Sequence, residues 1–125
     1  MQAKFEKAIK NGNIDIVREL LPNIDPAIMD NQAIKYASKN GHTEIVRLLL
    51  LDPRVDPAAQ DNFAIKEASN LGHADVVELL LKDPRVNPTT YDNHAIKLAS
   101  INGHTAVVRL LLQNPRVNPA ANDNY

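Results

Sequence analysis

Residues 61–91 read DNFAIKEASNLGHADVVELLLKDPRVNPTTY, and the stretches on either side repeat them. Residues 30–60 are DNQAIKYASKNGHTEIVRLLLLDPRVDPAAQ, and residues 92–122 are DNHAIKLASINGHTAVVRLLLQNPRVNPAAN. Of the 31 positions, 17 are identical in all three copies, so the chain is a repeat array rather than one irregular core. The rare residues fix the register. All glycines (Gly12, Gly41, Gly72, Gly103) share one repeat position, and the prolines share two, those of Pro22, Pro53, Pro84, Pro115 and of Pro26, Pro57, Pro88, Pro119. Residues 1–29 form a shortened first copy, in which Asn11-Gly12 aligns with Asn40-Gly41. Its second helix is expected about two residues shorter, and Lys4, Glu6, Lys7 and Lys10 give it the charge of an end repeat. The division is thus one domain, 1–125, with repeats 1–29, 30–60, 61–91 and 92–122, and residues 123–125 opening an incomplete further copy.

Each copy predicts two helices. Asp61 suits an N-cap, where a carboxylate accepts the free N–H groups of the first turn. Ala64, Ile65, Ala68 and Ser69 then follow at i, i+1, i+4, i+5, one buried stripe of a helix. Gly72 ends that helix in the left-handed conformation. The second helix covers about Ala74 to Lys82, burying Val76 or Val77, Leu80 and Leu81, and Pro84 stops it for want of an N–H. Pro-Arg-Val-Asn-Pro is expected to return in extended form. A pair this short cannot bury its apolar face alone, so stacking on neighbours supplies the core.

Ala68, Gly72-His73, Val76-Val77, Leu79-Leu80-Leu81 and Val86-Asn87, at a period just above thirty, resemble the ankyrin repeat family. The resemblance runs over the whole chain and implies an all-α solenoid of four stacked helix-turn-helix units. It also implies a scaffold for protein binding, with His42, His73 and His104 bonding backbone groups at the helix turns. Two departures stand out. Phe63-Ala64-Ile65-Lys66 replaces the family's Thr-Pro-Leu-His opening, and the copies are about two residues short, which implies compact loops.

Composition narrows the function. Net charge is −1, so the surplus of Lys and Arg that neutralises phosphates is missing and nucleic acid is not an expected partner. No apolar run approaches the ~20 residues that span a bilayer. With no cysteine, disulfides, thiolate metal sites and a cysteine nucleophile are excluded, which fits a cytoplasmic or other intracellular setting. Ser69 and His73 could suggest a nucleophile and base, but Ser38/His42 and Ser100/His104 repeat the pair. A catalytic site is needed once, whereas a structural contact is needed in every copy. No enzyme and no cofactor are therefore expected. Nor is a metal site, because helices about 10 Å apart hold histidines of adjacent copies too far apart to share a zinc ion. His94 lies off the histidine ladder, as a surface residue. The columns Lys35/Lys66/Lys97 and Arg54/Arg85/Arg116 are read as pairing with acidic neighbours such as Asp52 and Asp83, or with helix-end carbonyls.

The informative positions are those that vary. On helix one they are Gln32, Tyr36, Lys39 and Asn40, then Phe63, Glu67, Asn70 and Leu71, then His94, Leu98, Ile101 and Asn102. Their i, i+4, i+7, i+8 spacing puts them on one face, opposite the invariant stripe. Loop-tip residues, Tyr91 among them, should border the strip. By resemblance this is the concave surface through which ankyrin proteins hold partners, so the protein-binding residues are expected among Gln32, Tyr36, Lys39, Phe63, Glu67, Asn70, Leu71, Tyr91, His94, Leu98 and Ile101. Helix two varies at Glu44, Arg47, Leu51, Asp75, Glu78, Lys82, Ala106, Arg109 and Gln113, and reads as solvated convex surface. The rival reading is a piece of a longer array, natural or engineered, with no dedicated partner. Its final copy would leave Ile96, Ala99, Val108 and Leu111 uncovered and self-associate weakly as a homo-oligomer.

Overall fold

A computed structural model describes residues 1–117, so the loop tip 120–122 and the closing residues 123–125 lie outside the described residues. Eight α-helices follow in four pairs: α1 (Gln2–Asn11) with α2 (Ile14–Leu20), α3 (Ile28–Lys39) with α4 (Thr43–Leu50), α5 (Ala59–Leu71) with α6 (Ala74–Leu81), and α7 (Thr90–Ile101) with α8 (Thr105–Leu112). The first helices stack in the order α1, α3, α5, α7 and the second helices in the order α2, α4, α6, α8. No strand occurs among the described residues. The expected all-helical solenoid is what forms.

The invariant stripe is the core. Ala64, Ile65, Ala68 and Ser69 are fully buried, as are Val76, Val77 and Leu80. Both valines are buried because α6 is clamped between α5 and the neighbouring second helices. Gly72 ends α5 at φ 80°, ψ 25°, the left-handed C-cap its position required. In the first copy α2 is one residue shorter than α4, and a 3-10 turn, Leu21–Asn23, carries Pro22.

Three expectations need correction. Asp61 is not an N-cap: it stands at φ 54°, ψ 45° inside a left-handed turn formed with Gln60 and Asn62, and its side chain caps nothing. Met29-Asp30-Asn31 and Tyr91-Asp92-Asn93 repeat this turn. The turn serves the asparagine. Asn31 and Asn62 are buried, and their Oδ1 atoms accept the N–H of Asp56 and of Asn87, in the next return loop, at 2.8 Å. Satisfying that N–H, and with it the buried asparagine side chain, offsets the cost of backbone strain that left-handed non-glycine residues carry.

The Pro-Arg-Val-Asn-Pro segment, second, is not extended throughout. Asp83 Oδ1 accepts the N–H of Arg85 at 2.9 Å and Asn87 Oδ1 that of Thr89 at 2.9 Å, so tight turns stand on either side of Val86. Third, of the four residues expected uncovered on the final copy, Ala99 and Leu111 are fully buried, covered from within their own pair and by the preceding one, and Ile96 and Val108 are partly open.

Candidate protein-binding face

Two contacts, each made once per junction, lock the repeats together, and a third ties the head of a copy to its own return loop. The first is the histidine. His42 Nε2 lies 2.8 Å from Lys10 O, His73 Nε2 2.9 Å from Lys39 O, and His104 Nε2 2.9 Å from Asn70 O. The acceptor lies in the preceding pair, at the end of its first helix. Each imidazole also covers that pair's glycine: a Cβ on Gly41 would stand 2.6 Å from His73 Nδ1, and one on Gly72 2.6 Å from His104 Nδ1. The second contact is the arginine. Arg85 binds Asp83 through two carboxylate oxygens at 3.0 and 2.8 Å, and sends Nη1 to Val55 O at 2.7 Å. Arg54 does the same with Asp52 and Ile24 O, and Arg116 reaches Val86 O at 2.6 Å. The guanidinium holds the Asp52 and Asp83 carboxyls below the usual carboxylate range, and they hold Arg54 and Arg85 above the usual arginine value. The asparagine bridge is the third. The invariant histidine, arginine and asparagine side chains are thereby occupied with the stack itself.

Ser69 and His73 do not form a hydrogen-bonded pair. The imidazole Nε2 is engaged with Lys39 O, and Ser69 Oγ is buried without a hydrogen-bond partner. Among the described residues no three His, Asp or Glu side chains gather as metal ligands, and no helix is long and apolar enough to cross a membrane.

Gln32, Tyr36, Lys39, Phe63, Glu67, Asn70 and Leu98 are half-buried along the row of first helices; Leu71, Tyr91, His94 and Ile101 are exposed, Ile101 by 79%. Neighbouring pairs touch along this row. Asn102 Nδ2 donates to Asn70 Oδ1 at 2.6 Å, and Lys35 Nζ sits 5.8 Å from the Phe63 ring centroid. Tyr91 is the most tightly held of the exposed set. Its hydroxyl donates to Asp61 Oδ2 at 2.7 Å, and Lys66 Nζ lies 4.3 Å from its ring centroid. The Asp61 carboxylate raises the Tyr91 phenol above its ordinary pKa. Lys97 pairs with Asp92 at 3.1 Å. The lysine column therefore divides among aromatic and acidic neighbours. The nine varying residues of the second helices are all exposed.

One part of the row escaped the sequence reading. Aligning Gly12 with Gly41 places Ala3, Lys7 and Lys10 of α1 at the positions of Gln32, Tyr36 and Lys39. All three are exposed, so the varied face begins on α1.

The comparisons agree with this architecture. A family model described as ankyrin repeats, in three copies, matches residues 5–61, and a second, for the single ankyrin repeat, matches residues 91–124. No curated protein matches the chain. Repeats of this kind are generally protein–protein interaction modules and typically not catalysts. The two matches together with the repeated helix pairs place the chain in the ankyrin repeat family.

Proposed function

We propose that this chain is a binding scaffold that presents the varied face of its first helices, α1, α3, α5 and α7, to a protein partner. One observation carries the reading. The residues that join the repeats do not vary, and they are hydrogen-bonded or buried; on the first helices the residues that vary are those left half-buried or exposed. Tyr36, Phe63, Leu71, Leu98 and Ile101 put more apolar surface on that face than a solvated helix row needs. The varied positions of the second helices are mostly polar, with Arg47–Glu44 and Lys82–Glu78 paired across turns. An intracellular setting goes with this reading, since a cysteine-free chain draws nothing from an oxidising compartment.

The test is a pull-down from cell extract with the intact chain. A strip variant (Tyr36→Ala, Glu67→Arg, Ile101→Asp) and a convex variant (Glu44→Ala, Glu78→Ala, Arg109→Ala) are compared at matched thermal stability. Loss of the captured protein with the strip variant alone is expected. Loss with the convex variant alone would overturn the assignment of the face.

A further inference from the structure

Between α1 and α3 the varied face opens into a cleft of about 260 Å³. Its floor is apolar: Phe5, Ile9 and Ala33 line it and are all buried. The cleft lies where the register changes size. Ala3 occupies the position that Gln32, Phe63 and His94 fill in the other repeats, so a side chain present elsewhere in the row is missing here. Ligand pockets for whole small molecules begin at roughly 300 Å³; this smaller space suits one large side chain.

Its rim is basic. Lys7 and Lys10 line the opening, and Lys39 Nζ stands 6.0 Å from the ring centroid of Tyr36, which forms one wall. Among the described residues none of these lysines forms a salt bridge, unlike Lys82 and Lys97. The one carboxylate at the opening, Glu6, accepts a hydrogen bond from Gln2 at 3.3 Å. Two lysines thus line the opening with one carboxylate, and a third stands beside the Tyr36 wall, around an apolar floor.

We propose that this cleft is the anchor pocket of the binding face, taking one bulky aromatic or aliphatic side chain of a partner peptide whose flanking residues are acidic. The inference rests on the reading of the first-helix row as the binding face and adds the chemistry of the partner. The floor supplies area for an apolar anchor, and the lysines select carboxylates beside it.

The experiment is fluorescence anisotropy with the intact chain and a labelled short peptide carrying a central tryptophan between glutamates. Two comparators replace the glutamates by lysines or the tryptophan by glycine. The acidic tryptophan peptide should bind, more weakly as salt rises, and each comparator should bind roughly tenfold more weakly or worse. Ala3→Phe fills the cleft with the side chain that Phe63 already places at this register. That variant, and Lys7→Glu combined with Lys10→Glu, should each weaken the peptide by about tenfold, with unchanged melting temperatures confirming the fold. No binding, or equal binding of the glycine peptide, would overturn the proposal. So would an undiminished affinity in Ala3→Phe, because the lysines alone would then account for the binding. Leu98→Ala separates the two readings. If it weakens the peptide while Ala3→Phe does not, the row binds but the cleft is not its anchor. If the peptide is insensitive to both, and the convex variant alone releases the captured protein, the face itself is misassigned.

Discussion

Gly41 and Gly103 have nearly the same backbone, at φ 73° and 74°, but different surroundings. A Cβ on Gly41 would lie 2.6 to 3.0 Å from three atoms of the His73 ring, whereas one on Gly103 meets no described atom within 4 Å. Alanine at either site carries the left-handed penalty of roughly 1–2 kcal/mol. At Gly41 it must also displace the imidazole, at about 1–3 kcal/mol of overpacking, and break the His73 Nε2···Lys39 O contact, worth about 0.5–1.5 kcal/mol net. Gly41→Ala should therefore cost roughly 3–6 kcal/mol and Gly103→Ala roughly 1–2 kcal/mol. Urea unfolding followed by circular dichroism reads both. Because Gly103 lies in the last helix pair, where unfolding can be local, a double-mutant cycle of Gly41→Ala with His73→Ala supplies the control at a single site. With the ring gone the Cβ has room, so the double variant should lose at least about 1 kcal/mol less than the sum of the single ones. Equal costs at the two glycines together with an additive cycle would refute the histidine socket.

The core assignment predicts that Leu80→Ala costs roughly 2–5 kcal/mol and the exposed Glu78→Ala no more than about 0.5 kcal/mol; equal losses in denaturant unfolding would reverse the faces of α6. Asn62→Ala leaves the Asn87 N–H without its acceptor and should cost about 1–3 kcal/mol by the same assay. Asp52 and Asp83 have folded pKa values below their unfolded ones, so each adds stability above about pH 4 that is lost as pH falls through the folded value. Acid unfolding of Arg85→Met should show a shallower loss over that window. Asp61→Asn should bring the Tyr91 phenol back toward its ordinary titration, read by ultraviolet absorbance, and an unmoved titration would deny the Asp61 contact. Light scattering at high micromolar concentration should detect weak self-association through the partly open Ile96 and Val108, abolished by a polar capping helix fused after Tyr125; a monomer without the cap would retire the idea.

The elements were legible because their punctuation is local. Glycine at a C-cap and proline after a helix act within one turn, and the buried stripe is set by the helical period alone. The errors fall where a residue works far along the chain. Asp-Asn at the head of each copy resembles a helix cap, since a cap is what a short polar side chain does locally. The partner of Asn62 is the N–H of Asn87, 25 residues further on, and no local rule points to it. Histidine and arginine were recognised as structural, and Asp52 and Asp83 as partners of the arginines. That the carbonyls they meet belong to the preceding pair shows only in the assembled stack. Ala3, Lys7 and Lys10 are legible in the sequence through the Gly12 register, but the charge of the first copy is equally that of an end repeat.

The histidine and arginine contacts also explain why variation is confined as it is. Each links residues about 30 to 34 apart, so a change at one repeat position must suit the neighbouring copy as well. A varied residue of the first-helix row has a looser obligation. Phe63 can meet Lys35, Tyr91 can meet Lys66, and Asn102 can meet Asn70, each at one junction only. The stack keeps its spacing through the invariant set and leaves the row free to differ from repeat to repeat. Ala3 carries that freedom furthest: a side chain can be omitted there, and the cleft opened, without touching any contact that holds the repeats together.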